Sequence, residues 1–182
     1  MHRNSLIELL RTYRNRWQDE RAVVDRYMQF VESNADCFER TLSSGHVTGS
    51  AWVVNGPGTH VLLTHHRKLD KWLQLGGHAD GDSHVLNVAL REAEEESGLV
   101  CSPLATHIFD VDIHRIPARA HEPEHFHYDC RFALQSHSEG FTVSDESHDL
   151  AWVRITEIAD YSQESSMVRM AEKWVQRGNS LR

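Results

Sequence analysis

Apolar side chains recur at three- and four-residue intervals in several parts of the chain, which is the spacing of one face of a helix. This pattern covers residues 6–13, 23–31 and 85–93, and a closing helix is predicted at residues 163–177. The first two stretches predict a helical N-terminal extension over residues 1–43, ahead of a second unit at residues 44–182. In the third stretch, Gly98 is a natural left-handed stop, and Asp82 or Ser83 is expected to cap the start.

β-Rich runs occupy much of the remaining sequence. The predicted strands lie at residues 47–54, 59–64, 105–116, 124–134 and 150–155. The turn signal Asn55-Gly56-Pro57-Gly58 predicts a hairpin between the first two strands. The third and fourth strands are expected to form a longer hairpin around a loop at residues 117–123, with Asp110, Asp112 and His114 on one face. Strands that flank a central helix, followed by a second helix, predict an α/β fold.

Length, charge and cysteine content narrow the class of protein. The chain has 182 residues, 40% of them hydrophobic, which is enough for a compact core. A net charge of −8 disfavours a surface that follows nucleic-acid phosphates. No apolar run approaches the roughly 18 residues of a membrane helix, and the start lacks a signal-peptide core. The three cysteines form no CxxC pair and indicate free thiols, so we expect a cytoplasmic protein. From the charge and the absence of a long apolar run, we expect no nucleic-acid or membrane partner.

Carboxylates concentrate in the second half of the third helical stretch. Glu92, Glu95 and Glu96 stand at i, i+3 and i+4, so all three project from one helix face. Like charges at this spacing weaken an isolated helix by about 0.2–0.5 kcal/mol per pair, and a bound cation would offset that repulsion. Because Mg²⁺ and Mn²⁺ prefer clustered carboxylate oxygens, the pattern predicts a metal site. The alternative is a solvated acidic face.

The same stretch resembles the Nudix box, which spans residues 77–99 here. The motif reads glycine, five residues, glutamate, seven residues, then Arg-Glu-apolar-any-Glu-Glu-any-Gly-apolar. Gly77 opens it, Arg91 begins its second part, and eight of the nine defined positions match. The exception is Ser83, which stands where the family has its first glutamate. That glutamate mainly supports the loop and the arginine, and Asp80 or Asp82 is the expected substitute.

The resemblance covers about residues 46–178 and implies the Nudix fold, an α/β/α sandwich with a mixed sheet. It also implies hydrolysis of a diphosphate linkage in a nucleoside diphosphate joined to a group X, a small-molecule substrate. A Mg²⁺ or Mn²⁺ ion would polarise the phosphate oxygens and activate a water molecule. The metal-binding and catalytic residues that the resemblance implies in the box are Arg91, Glu92, Glu95 and Glu96.

Residues around the box complete the implied site. Gly76 and Gly77 let the backbone turn sharply and approach a ligand. Many members of the family draw a further carboxylate from a distant loop as base or extra ligand. Glu139, Asp145 and Glu146 are the candidates here, and Glu146 is our choice. The alternative for each is ordinary surface acidity.

Histidine is unusually abundant, with 14 residues. A second resemblance is to isopentenyl-diphosphate isomerase, a Nudix-superfamily relative whose metal site contains histidines and glutamates. Its ligand segments look like residues 45–54, 76–78 and 125–127 of this chain. The resemblance implies a second site for a transition metal, since imidazole is a softer ligand than carboxylate. The residues of this second site would be His46, His78, His125 and His127. The alternative is a set of scattered surface and core histidines.

Two other functions stay open beside diphosphate hydrolysis. An isomerase-like enzyme acting on a prenyl diphosphate is disfavoured, because the catalytic cysteine of the isomerase falls on Gly76. A non-catalytic nucleotide-sensing domain is disfavoured by the complete set of box glutamates. A homodimer is a further possibility, because dimers are common among relatives.

Overall fold

The computed structural model describes residues 2–118 and 123–179 and has an eight-stranded mixed sheet with helices on both faces. Its helices are α1 (Asn4–Arg16), α2 (Arg21–Ser33), α3 (Val85–Ser97), α4 (Ile158–Tyr161) and α5 (Ser165–Asn179). Its strands are β1 (Gly45–Val54), β2 (His60–His66), β3 (Lys71–Leu73), β4 (Leu75–His78), β5 (Cys101–Pro103), β6 (Asp110–Ile116), β7 (His125–Ser136) and β8 (Ser147–Arg154). Short 3₁₀ turns occupy Gln18–Glu20 and Ile155–Glu157. The predicted loop at residues 117–123 lies partly outside the described residues.

The sheet is built around the long strand β1. Strand β7 runs parallel to it over its whole length, from Gly45 beside Phe126 to Val54 beside Gln135. Strand β4 pairs antiparallel with the middle of β1, while β6 and β5 pair antiparallel with β7. This topology and the flanking helices confirm the predicted α/β class and mixed sheet.

Alternation along β1 separates two hydrophobic clusters. Val47, Ala51 and Val53 belong to the cluster that contains α3, whereas Trp52 and Val54 belong to the cluster that contains α5. The sandwich therefore has α3 on one face of the sheet and α5 on the other.

The N-terminal helices pack into the α3 cluster. Leu6, Leu10, Val24 and Tyr27 are buried there, and the Tyr27 hydroxyl donates a 2.6 Å hydrogen bond to the carbonyl of Tyr128 in β7. The predicted helices of residues 1–43 are therefore present and share a core with the sheet. The domain boundary between residues 43 and 44 stays a prediction.

A buried ion network joins α5 to the sheet. Asp110 in β6 is fully buried and lies 3.1 Å from Arg131, 2.8 Å from Arg169 and 2.6 Å from Lys173. Removing one partner of a buried pair leaves an uncompensated charge, so this network is costly to disrupt. It fixes the edge of the sheet against α5.

Several predicted elements differ in extent from the structure. The predicted hairpin between β1 and β2 is reduced to a single paired position, Val54 with Val61, because β2 pairs along its length with β8. The predicted strand over residues 105–116 begins only at Asp110, and the short strand β5 precedes it. None of the described helices is long and apolar enough to cross a membrane. All three cysteines are free, and the cytoplasmic location stays a prediction.

Gly49→Ala tests how closely α3 approaches the sheet. A Cβ at this position would lie 2.8 Å from both the Val85 carbonyl oxygen and the Val88 Cβ, so the helix must shift. We expect a loss of about 1–3 kcal/mol in the free energy of unfolding, measured by urea denaturation. Gly56→Ala is the matched control, because a Cβ there meets no atom within 4 Å. Equal losses in the two variants would contradict this packing.

Candidate functional site

The candidate site begins where β4 leads into the loop before α3. Gly98 ends this helix with a left-handed φ of 69°, and its N–H donates to the Glu94 carbonyl at 2.7 Å, as the sequence predicts. The predicted cap at the other end is wrong, since no side chain caps the helix at His84. Asp82 instead accepts a 2.8 Å hydrogen bond from the His84 N–H in the loop itself.

The loop is anchored to the N-terminal segment of the chain. Asp80 forms an ion pair with Arg40, and the Gly81 N–H donates to the Phe38 carbonyl at 3.0 Å. Asp80 pairs with Arg40 rather than with the arginine of the box, although its charge also acts on Arg91 and raises the pKa of Arg91. The expectation that Asp80 or Asp82 substitutes for the missing glutamate stays a prediction. Residues 38–40, which precede the sheet, support a loop that has Ser83 at the glutamate position.

Arg91 connects the helix to β4. One of its guanidinium nitrogens donates to the His78 carbonyl at 2.8 Å and to the Glu92 carboxylate at 2.9 Å. A second nitrogen lies 3.9 Å from Glu95. Arg91 thus orients a box carboxylate and ties it to the strand.

The three box glutamates differ sharply in exposure. The Glu95 side chain is 63% exposed and that of Glu92 only 16%, while Glu96 is buried and accepts a 2.7 Å hydrogen bond from the Gly76 N–H. A Cβ at Gly77 would lie 2.3 Å from the Glu92 carboxylate, so glycine is what lets this carboxylate reach the backbone. The two glycines therefore seat the two buried carboxylates.

Burial and mutual repulsion raise the pKa values of Glu92 and Glu96. Burial, together with the charges of Glu92 and Glu146 and against the hydrogen bond from Gly76, raises the pKa of Glu96 to about 8. Burial also raises the pKa of Glu92, against the opposing effect of Arg91, and Glu95 and Glu146 add repulsion. Carboxylates in this state suit a divalent cation, which would neutralise the charge that burial disfavours.

Of the three predicted loop carboxylates, Glu146 is the one whose charge acts on the box. It raises the pKa of both Glu92 and Glu96. Glu139 instead accepts a 3.4 Å hydrogen bond from Asn55, at the far end of β1. Glu146 therefore acts on the box carboxylates, and its role in the site stays a prediction.

The four predicted histidines lie together, on the face of the sheet opposite α3. The ring centroid of His46 is 4.9 Å from that of His78, 5.0 Å from His125 and 4.8 Å from His127. The ligating nitrogens of His46, His125 and His127 all lie within 4.8 Å of one another. Strand pairing explains the cluster, because His46 of β1 is in register with His127 of the parallel strand β7.

His46 is the buried centre of this cluster. It is 1% exposed, and neither ring nitrogen has a hydrogen-bond partner among the described residues. Burial, together with the neighbouring imidazoles of His78 and His125, lowers the pKa of His46 to about 4. A buried imidazole without partners is costly unless something else satisfies it, and neutral rings are the form that binds metals.

A fifth imidazole, His114, extends the cluster. Its ring lies 5.3 Å from that of His127, its cross-strand neighbour, and its Nδ1 is 3.2 Å from the Asp112 carboxylate. The histidine site predicted from the sequence does not include His114. The alternation of β6 is the signal that finds it, because it places Asp112 and His114 on one face.

The NUDIX domain family matches residues 45–174, which is more than half of the chain. The chain belongs to the Nudix family. A search of curated proteins finds no match. Nudix hydrolases cleave diphosphate linkages and generally use divalent metal ions. Membership of this family identifies the chain as a diphosphate-hydrolysing enzyme.

Solved structures share the Nudix fold. A NUDIX-family hydrolase from Clostridium perfringens is 24% identical, with a TM-score of 0.59 over 72% of this chain and 97% of that one. A UDP-X diphosphatase is 16% identical, with a TM-score of 0.56 over 96% of this chain and 92% of that one. The second likeness therefore reaches the N-terminal helices.

Glu96→Gln tests the effect of burial on this carboxyl group. In metal-free protein the native state keeps a proton on Glu96 that the unfolded chain loses, so stability falls as pH rises from 4.5 to about 8. Glutamine keeps the acceptor for the Gly76 N–H without the charge, so the variant should be more stable at about pH 8 by about 1–3 kcal/mol.

Denaturant unfolding in the presence of a chelator, at about pH 5 and about pH 8, measures this difference. Glu94→Gln, at an exposed position on the same helix, is the control and should leave the pH dependence unchanged. The same pH dependence for wild type and Glu96→Gln would contradict the raised pKa.

Proposed function

We propose that this Nudix hydrolase cleaves a diphosphate linkage in a nucleoside diphosphate joined to a group X, with Mg²⁺ or Mn²⁺ at Glu92, Glu95 and Glu96. The convergence of these carboxylates and Glu146 beside the Gly76–Gly77 backbone carries the proposal. Burial disfavours the charged state of Glu92 and Glu96, and the all-oxygen donors of the cluster match hard divalent ions.

The residues have separate roles in the proposed reaction. When bound, the cation would polarise phosphate oxygens and lower the pKa of a water molecule. Arg91 holds Glu92 in place through the His78 carbonyl, and the Gly76 N–H fixes Glu96. Glu146 is the proposed base or additional ligand. Phosphoryl-transfer chemistry depends mainly on positioning and charge neutralisation, which these contacts supply.

The likeness to a UDP-X diphosphatase supports a nucleoside diphosphate derivative as the substrate class. The NUDIX domain of Shewanella oneidensis NrtR, whose structure contains ADP ribose, is a further structural neighbour at 13% identity and a TM-score of 0.54 over 76% of this chain and 91% of that one. These two proteins are described with UDP-X and with ADP ribose, and their likeness to this chain supports the proposal of a substrate with a nucleoside on one side of the diphosphate.

The isomerase-like alternative is disfavoured by packing at Gly76. A Cβ there would lie 2.2 Å from the Ser50 hydroxyl and 2.7 Å from the Ser50 Cα, so a catalytic cysteine does not fit without movement of the backbone. A phosphate-release screen over nucleoside diphosphate derivatives, nucleoside triphosphates and isopentenyl diphosphate separates hydrolase, isomerase and non-catalytic binding. A homodimer stays a prediction.

We also propose a second cation, a transition metal, at the histidine cluster. The unpartnered ring nitrogens of His46 and the convergence of His125 and His127 support it. His125 Nδ1 lies 2.9 Å from the Pro123 carbonyl, so Nδ1 carries the proton and Nε2 presents its lone pair to the cluster. Imidazole donors favour Zn²⁺, Ni²⁺, Fe²⁺ or Mn²⁺ over Mg²⁺.

Glu95→Gln tests the carboxylate site, because it removes a ligand charge and keeps the shape of the side chain. We expect kcat at saturating Mg²⁺ to fall by a factor of about 100 or more, since metal activation supplies several kcal/mol. Glu94→Gln is the control on the neighbouring exposed position and should retain wild-type turnover. Unchanged turnover in Glu95→Gln would contradict the proposal that Glu95 binds the metal ion.

Glu146→Gln and Glu139→Gln distinguish the two loop carboxylates. The charge of Glu146 acts on both Glu92 and Glu96, so its replacement should lower kcat by a factor of about 10²–10⁴, the usual contribution of a general base. Glu139→Gln should remain near wild type. Steady-state kinetics of phosphate release measures both variants, and a larger effect at Glu139 would reverse the assignment.

A further inference from the structure

One four-residue strand, β4, contacts both the carboxylate cluster and the histidine cluster. Gly76 donates its N–H to Glu96, and Gly77 lies directly against the Glu92 carboxylate. The His78 carbonyl accepts a hydrogen bond from Arg91, and the His78 imidazole lies in the histidine cluster. Three consecutive residues therefore carry contacts to two separate groups of candidate ligands.

The histidine side of this connection spans adjacent strands. His78 of β4 is in register with Thr48 of β1, two residues from His46, and the His46 and His78 rings are 4.9 Å apart. His78 is also 5.1 Å from His127, ring centroid to ring centroid. An ion held by His46, His125 and His127 would thus bind the ends of β1 and β7 together beside β4 and restrict the His78 ring.

The carboxylate side depends on the position of the His78 backbone. The same Arg91 nitrogen donates to the His78 carbonyl and to Glu92, so a displacement of His78 changes how Glu92 is held. His78 is connected to Glu96 through β4, because Gly77 and Gly76 precede His78 in the strand and the Gly76 N–H donates to Glu96. Pairing with β1 fixes the positions of Gly76, Gly77 and His78 relative to one another, so the contacts to Glu96, Glu92 and Arg91 depend on the same strand.

We propose that a transition-metal ion at His46, His125 and His127 regulates the affinity of the carboxylate site for Mg²⁺ through His78 and β4. This inference rests on the proposed function, in which Glu92, Glu95 and Glu96 bind a divalent cation and the histidine cluster binds a transition metal. An ion that fixes the His78 ring also fixes the His78 carbonyl through which Arg91 holds Glu92, so the two sites are coupled through one residue. Coupling of this kind is reciprocal, so Mg²⁺ also strengthens binding of the transition metal.

Calorimetric titration with Mg²⁺ tests the coupling, on chelator-stripped protein and on protein loaded with one equivalent of Co²⁺. The visible absorption of bound Co²⁺ and elemental analysis report occupancy of the histidine site independently of activity. We expect Co²⁺ to strengthen Mg²⁺ binding by a factor of about 5 or more, within the usual range of coupling between sites.

His78→Ala is the uncoupling variant, because it removes the imidazole and keeps the carbonyl that Arg91 uses. It should still bind Co²⁺ through the other three histidines, while the Co²⁺-dependent change in Mg²⁺ affinity disappears. His148→Ala, at an exposed histidine outside the cluster, should keep the full coupling. Glu95→Gln should retain Co²⁺ and lose Mg²⁺ binding.

The outcomes separate the two claims. Failure of wild type to retain Co²⁺, or equal retention in a His125→Ala/His127→Ala variant that still shows a cooperative thermal transition, overturns the histidine site. Retained Co²⁺ with unchanged Mg²⁺ affinity, or full coupling in His78→Ala, overturns the regulation and leaves the hydrolase assignment intact. Absence of Mg²⁺ binding in every form overturns the carboxylate site, and with it both the proposed function and the coupling.

Discussion

The close contact of α3 with β1 and β4 is the constraint on which the rest of the site depends. Gly49 and Gly77 leave no Cβ between the helix and the sheet, so the helix backbone lies directly on β1 and Glu92 reaches β4. At that distance the Gly76 N–H can bind Glu96. The same contact buries two carboxylates beside Glu95 and Glu146, an arrangement that burial disfavours in the charged state and that a divalent cation stabilises.

On the face of the sheet opposite α3, the register of β1 and β7 brings polar side chains together. Side chains of alternate residues on β1 and β7 form polar rows, in which Thr48 and Ser50 each donate a 2.8 Å hydrogen bond to Asp129. The histidines continue these rows to the end of the sheet, where His46 lies beside His127. A row of imidazoles on a rigid parallel pair is preorganised, which is the property that a metal site needs.

The box helix and its carboxylates could be predicted from the sequence because their signals are local. Helical spacing and Gly98 define the helix, and the i, i+3, i+4 spacing places three glutamates on one face.

Features that depend on distant pairing could not be found in this way. The contact between Arg40 and Asp80 joins residues far apart in sequence. Strand β2 pairs with β8 over its whole length and with β1 at only one position, which the turn signal between β1 and β2 does not predict. Strand β4 is too short for alternation to reveal it, although it carries the contacts to Glu96 and Arg91. The histidine grouping was predicted from the isomerase resemblance, and strand register supplies its physical cause.

The central claim is that the buried box carboxylates form a binding site for a hard divalent cation. The thermal unfolding midpoint of chelator-stripped protein, measured against increasing Mg²⁺, tests it most directly. A ligand that binds only the native state stabilises it by about 2.7 kcal/mol at a concentration of 100 Kd, so the account predicts a midpoint that rises steadily with Mg²⁺. A midpoint that does not change up to saturating Mg²⁺ would contradict the account.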